Sequence, residues 1–183
     1  MSRWETTSTL EADVEPRAIW ERAYFDVAAW PRWNAEIKSA RIDGPLSAGA
    51  TARIVFHTGL RLRFHVVEYE QGRLFTDEAR LPGARMGHRH LVEPIEGDGS
   101  RLANTIYIEG ALAPLWRRIL GPAAAKALPD AQRAVVEQTR ASERAEALRS
   151  EREASRADAD RRDVMAEERE WEGVFSDGLD DPS

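Results

Sequence analysis

The sequence predicts an α+β fold: an antiparallel sheet of about seven strands, one face of which is covered by a long C-terminal helix. Three observations carry this. Between residues 36 and 110 the chain falls into short runs of alternating apolar and polar residues separated by turn signals. The connections are too short for the crossovers that parallel strands need. After Gly110 the period becomes helical, with Leu115, Trp116, Ile119, Leu120, Ala123, Ala127, Leu128, Ala131 and Val135 on one apolar stripe.

Each element has a local cause. Residues 6–14 (TTSTLEADV) carry strand-forming Thr and Val. Pro16 suits the first turn of a helix, where its missing N–H costs nothing, and Asp13 and Glu15 stand near the positive end. Ile19, Trp20, Ala23 and Tyr24 recur at helical spacing, so this helix should end near Asp26. Trp30-Pro31-Arg32-Trp33 follows as a second short helix or turn, which Asn34 can cap through its side chain. Strands are expected at 36–44, 51–58, 61–70, 73–81, 84–95 and 100–110, divided by Gly44-Pro45, Gly59-Leu60, Gln71-Gly72 and the hairpin loop Glu96-Gly97-Asp98-Gly99.

Alternation assigns the faces, because successive strand side chains point to opposite sides. Leu62, Phe64 and Val66 oppose Arg61, Arg63 and His65, and Ile54 and Phe56 oppose Arg53 and His57. Leu102, Ile106 and Ile108 share a face with Asn104; Met86 and Val92 share one with His88 and His90. Tyr107 and Glu109 have the opposite parity and belong with the arginines on the wet face. The apolar face needs a cover, and only the helix after Gly110 is long enough. Gly121-Pro122 predicts a break in that helix and Pro129 a kink, since an internal proline removes a hydrogen bond and costs ~3 kcal/mol.

Composition narrows the classes. The chain has 183 residues and no cysteine, so one domain with an appendage is expected, without disulfides, in a reducing cytoplasm. The N-terminus has no apolar run of the signal-peptide kind, and no stretch is long and apolar enough to span a membrane. The net charge of −6 is uneven: residues 141–183 carry 14 acidic and 7 basic side chains, a net of −7, leaving +1 for residues 1–140. A near-neutral body without a basic stripe argues against a nucleic-acid partner. Residues 1–140 are thus expected to form the domain, and residues 141–183 an acidic, partly helical or disordered tail. Trp171, Val174 and Phe175 near its end could dock a protein partner.

Strand, two short helices, a run of antiparallel strands and a long last helix is the order of the helix-grip fold. The opening stretch, with Pro16, Trp20, Asp26, Trp30, Pro31, Trp33, Asn34, Gly44, Leu46 and Gly49, resembles the SRPBCC or START-like superfamily, in its polyketide cyclase/dehydrase branch. HLVEPIEGDGSRLANTIYIEGALAPL (90–115) resembles that group's closing hairpin and entry into the last helix. The resemblance implies a curved sheet gripping the helix, with a cavity between them. It also implies a lipid, sterol, polyketide or other apolar ligand, or aldol cyclisation or dehydration.

The residues contain no phosphate loop and no nucleophile elbow. His88 and His90 project to one side of a strand, as two zinc ligands can. The third ligand would be Asp77, Glu78 or His57, and spacing forces none of them, so no metal or cofactor is expected. The histidines read instead as polar groups in an apolar pocket. Pairing the last two strands through the Gly97–Gly99 turn puts His90 near Ile106 and Val92 near Asn104, gathering His88, His90 and Asn104. A histidine there could act as general acid or base, with Asn104 or Thr58 holding a carbonyl. Trp33, Ile54, Phe56, Thr58, Phe64, Met86, Ile106, Trp116 and Ile119 are the expected pocket lining. The leading expectation is binding of a small hydrophobic or aromatic molecule. A cofactor-independent cyclase or dehydratase, and an interaction protein docking through its tail, stand beside it.

Overall fold

The computed structural model describes residues 2–176, with side chains as far as Arg169 apart from Glu168. The docking expectation for Trp171, Val174 and Phe175 lies outside the described side chains. The elements are β1 (Ser2–Ala12), α1 (Pro16–Ile19), β2 (Ile37–Ile42), β3 (Thr51–Phe56), β4 (Arg61–Glu70), β5 (Leu74–Leu81), β6 (Ala84–Pro94), β7 (Ser100–Gly110) and α2 (Ala113–Ser176). A π turn (Trp20–Tyr24) extends α1, and a 3-10 helix (Val27–Arg32) follows. Contacts divide the chain into two compact units, Met1–Ala141 and Ser142–Ser183.

The seven strands form one antiparallel sheet in the order β1-β7-β6-β5-β4-β3-β2. β1 starts earlier than its composition suggests because it pairs with β7 along its whole length, from Ser2 opposite Gly110 to Ala12 opposite Ser100. The ladder supplies the order that the polar N-terminus lacks in itself. Strand parity holds through most of the sheet but slips at Val67, where a bulge separates the Val66–Asp77 pair from Glu68–Thr76. The slip turns Tyr69 inward, opposite Phe75.

The hairpin β6–β7 closes on Pro94 and Ser100 around residues 95–99, with the Ile95 N–H bonded to the Gly99 carbonyl. This corrects the expected register by two residues: His88 faces Ile106, His90 faces Asn104 and Val92 faces Leu102. An even shift leaves every side chain on its face, so the grouping of His88, His90 and Asn104 survives.

The tryptophan segment belongs to the core. Trp20, Trp30 and Trp33 are all buried, and Trp30 and Trp33 tilt against each other at 6.0 Å. Their indole N–H groups bond to the carbonyls of Tyr24 and Ala23, both at 3.0 Å. These carbonyls end the first helical segment and have no helical partner beyond it. The segment therefore caps that helix with its own side chains. Asn34 closes the turn by accepting from the Glu36 N–H. Trp33, expected in the pocket lining, is 6% exposed and packs on Tyr24.

In the first unit, α2 buries Ala113, Gly121, Leu128, Gln132, Val135, Val136 and Thr139. The predicted stripe holds at Leu128 and Val135 but not at its start, where Leu115 and Ile119 are 51% and 55% exposed. The helix is also continuous through Gly121-Pro122 and Pro129, against the expected break and kink. Gly121 is placed where the helix crosses Trp4, and a Cβ there would meet the indole at 3.3 Å. In the second unit, Leu148, Val164 and Met165 are more than half exposed, and Asp158 pairs with Arg161 and Arg162. Among the described residues no helix is long and apolar enough to cross a membrane.

Trp33→Phe keeps most of the ring volume but leaves the buried Ala23 carbonyl without its donor. It should cost about 1–3 kcal/mol in urea unfolding. Trp33→Ala, which also opens a cavity, should cost about 3–5 kcal/mol.

Candidate functional site

Strand register arranges the inner-face side chains in rows. One row runs Thr6–Ile106–His88–Asp77–Val66, and the next runs Ser8–Asn104–His90–Phe75–Tyr69. Apolar rows flank them: Leu10–Leu102–Val92 on one side, and Trp4–Ile108–Met86–Ala79–Phe64 on the other. A polar patch is thus set in the middle of the face that folding takes out of water.

The patch is close-packed toward the tryptophans. Trp30, Phe75, His90 and His88 form a column of rings, with centroid separations of 5.9, 4.2 and 3.8 Å in turn. Tyr24 meets His90 edge-on at 5.1 Å. The Asp77 carboxylate lies 3.5 Å from His90 Nε2. On the other side, α2 is fastened to the sheet by Gln132, whose amide nitrogen donates to the Ser8 and Leu102 carbonyls at 2.9 and 3.1 Å. Between Gly121 at Trp4 and Gln132 at Ser8, the half-buried positions of α2 include Ala124, Ala127 and Ala131. These small side chains cover the sheet incompletely: Thr6, Ser8, Met86, His88 and Ile106 keep accessible surface, while Asn104, Leu102 and Val92 are buried.

Several polar atoms here are buried without a hydrogen-bond partner: Trp20 Nε1, Tyr24 Oη, His88 Nε2, His90 Nδ1, Asn104 Oδ1 and Gln132 Oε1. Burial pushes the Tyr24 hydroxyl well above its usual range; Asn104 stands near enough to oppose this in part, but no well-formed bond joins them. Burial dominates the titration of the patch. It lowers both His88 and His90 to about 3, and for His88 the second imidazole adds to the effect while Asp77 opposes it. Burial also raises Asp77 to about 6. At neutral pH the imidazoles are uncharged and Asp77 is largely ionised. The Asp77–His90 contact is then an ion–dipole interaction, not a salt bridge.

The expected site residues separate into groups. His88, His90, Asn104, Met86 and Ile106 lie together on the inner face. Ile54, Phe56 and Phe64 share that face but sit in or against the apolar cluster on the β3–β4 side. Thr58 is exposed in the β3–β4 turn, where its hydroxyl faces the Leu60 N–H, so it is not available to hold a carbonyl at the histidines. Trp116 bonds to the Pro82 carbonyl at 2.9 Å and latches the start of α2 to the β5–β6 turn. Ile119 points to solvent because the buried stripe of α2 runs through Gly121 and Leu128. Of the third ligands considered for a metal, only Asp77 shares the histidines' face. Glu78 accepts from the Tyr107 hydroxyl on the outer face, and His57 is exposed. Among the described residues no three acidic or histidine side chains have a metal-binding arrangement.

Sequence reading missed Tyr24, Phe75, Gln132, Thr6 and Ser8, and considered Asp77 only as a metal ligand. Two of these carried a signal. Asp77 shares strand parity with Phe75 and Ala79, an acid among inward apolar positions. Gln132 lies four residues after Leu128 and three before Val135, on the buried stripe.

Two open surface grooves, each of about 520 Å³, lie away from the patch. One is lined by Trp4, Pro114, Arg117, Arg118, Gly121, Pro122 and Ala125, the other by residues around Phe25, Arg41 and Leu46. Trp20, Tyr24 and Trp30 are buried and pack on Phe75 of the inner face.

A curved antiparallel sheet with short helices after its first strand and a long C-terminal helix is the helix-grip fold. The chain belongs to the family described as polyketide cyclase/dehydrase and lipid transport, whose profile matches residues 3–142. Solved structures agree on the fold. Truncated norcoclaurine synthase from Thalictrum flavum superposes with a TM-score of 0.60 at 14% identity, covering 74% of this chain and 92% of that one. A START superfamily protein from Mycobacterium smegmatis gives 0.57 at 18% identity, with 74% and 97% covered. A hypothetical protein from Helicobacter pylori gives 0.62 at 12% identity, with 74% and 87% covered. No curated protein matches the chain significantly.

The titration of the patch has a measurable consequence. Each histidine is held below its unfolded value, so its share of stability is complete above about pH 6.5 and is lost as pH falls toward 3. Asp77 is held above its unfolded value, so its share is complete below about pH 3.8 and is lost as pH rises through 6. Each group changes the slope by about 1.4 kcal/mol per pH unit within its window. Two histidines outweigh one carboxylate, so unfolding free energy should fall from pH 6.5 to 4.5. Asp77→Asn should steepen that fall and raise stability at pH 8. A flat wild-type profile would contradict the assignment.

Proposed function

We propose that the protein binds a small, mostly apolar molecule between the inner face of the sheet and α2. The polar end of the molecule lies against His88, His90, Asp77 and Asn104. The observation that supports this is the coincidence of two features at one place. Buried polar atoms lack partners there, and the alanine-lined part of α2 leaves adjoining side chains accessible. An unpartnered buried polar atom costs about 1–3 kcal/mol, and a ligand group that bonds to it recovers that cost. The aromatic column and the rows of Ile106 and Met86 suit an apolar or aromatic body. The family description points the same way.

A second, catalytic reading is favoured by one observation, the pKa of Asp77. A proton-transfer group works best near the operating pH. Imidazoles held to about 3 are weak bases, whereas Asp77 at about 6 is well placed. In a cyclase or dehydratase reading, Asp77 would move the proton, and the neutral histidines and Asn104 would hold the substrate oxygen.

Native mass spectrometry of protein purified from its own host, followed by titration with lipid and aromatic libraries, tests the binding reading. A ligand should be carried or acquired. Ile106→Trp, which fills the accessible strip, should weaken binding at least about tenfold with little change in melting temperature. Failure of every library compound to bind the wild type would refute the proposal. If turnover is found, Asp77→Asn should abolish it, and His88→Gln should leave a measurable residue.

A further inference from the structure

We infer that the polar end of the bound molecule is an uncharged hydroxyl group, not a carboxylate or phosphate. This rests on the binding site proposed above and adds its selectivity. The argument is an inventory of charge and hydrogen-bonding capacity. The buried residues include Asp77, His90, Asn104 and Gln132, but no lysine or arginine. Both lysines, Lys38 and Lys126, are exposed. The strand arginines Arg3, Arg53, Arg85, Arg89 and Arg101 pair with Glu5, Asp43, Glu109, Glu68 and Glu11, while Arg41, Arg61, Arg63 and Arg80 are exposed and Arg117 and Arg118 line the separate groove at Trp4. Arg22, half-buried, already has an interaction of its own. An anion at the patch would lose its hydration, gain no counter-charge and face the Asp77 carboxylate. Both effects oppose its binding.

The free hydrogen-bonding capacity sharpens the class. Asn104 Oδ1 and Gln132 Oε1 lack donors, and they are neighbours in the fold because Gln132 is bonded to Ser8, the residue opposite Asn104. Asp77 adds a third acceptor beside His90. A ketone or ester oxygen cannot donate to any of these. The Tyr24 hydroxyl, on the ring that meets His90 edge-on, also lacks an acceptor. A hydroxyl group donates and accepts, so it serves both sets; a phenol or alcohol on an apolar body fits the site.

Calorimetric titration at pH 7.5 with two matched series, 2-naphthol, 2-naphthoate and naphthalene, then 1-dodecanol, dodecanoate and dodecylamine, tests this. In at least one series the hydroxyl compound should bind at least about a hundredfold tighter than the carboxylate. Asn104→Leu should reduce that preference while naphthalene, the apolar body alone, still binds. Carboxylate binding equal to that of the alcohol, or naphthalene equal to naphthol, overturns the inference and leaves the binding site standing. Dodecylamine tighter than dodecanol makes Asp77 a counter-ion and overturns it as well. No binding by any compound of either series removes the binding reading and this inference with it.

Discussion

Everything in the first unit follows from the need to take one face of a single curved sheet out of water with too little material. Seven strands present more inner surface than one helix can cover. The chain closes one end with aromatic rings from residues 16–33, and α2 covers the rest. Where α2 carries Val135 and Val136 the face is covered; across Ala124, Ala127 and Ala131, which flank the buried Leu128, neighbouring sheet residues keep accessible surface. A single hydrogen-bonding side chain, Gln132, sets how α2 sits, because its amide reaches both edge strand β1 and its neighbour β7.

The incomplete seal coincides with the polar rows. An acid and two imidazoles on the inner face would be expensive in a dry core, and the protein limits the expense by keeping both imidazoles neutral, leaving the Asp77 carboxylate as the charge in the patch at neutral pH. Stacking supports that state. An uncharged imidazole packs on Phe75 as another flat ring, whereas a protonated one would need water or a counter-charge. The same packing that suppresses charge leaves nitrogen, hydroxyl and amide atoms without partners. These are the atoms that the proposed ligand would satisfy.

Much of the architecture was legible beforehand, because alternation and turn chemistry are local. Strand parity placed His88, His90, Asn104, Met86 and Ile106 on one face and Tyr107 and Glu109 on the other, and the hairpin's two-residue register error could not disturb that. The helix was harder to read. Leu115, Ile119 and Gly121 have helical spacing on either of two stripes, and only contact with Trp4 and Ser8 selects the one through Gly121 and Gln132. Thr58 was misplaced because a turn interrupts parity, and Trp33 because its indole N–H serves a carbonyl ten residues back.

The sequence by itself determined the order of elements, the faces of β3, of β4 up to the bulge at Val67, and of β6 and β7, and the kinship, since these depend on neighbours two to four residues apart. Tertiary structure alone decided which polar groups meet. Asp77 reaches His90 through β5–β6 pairing, Tyr24 reaches it by the fold of α1 over the sheet, and Gln132 reaches Ser8 across 124 positions. The altered ionisation of Asp77, His88 and His90 is likewise a property of assembly. Desolvation is exerted by everything that surrounds a group, and no local stretch of sequence contains it.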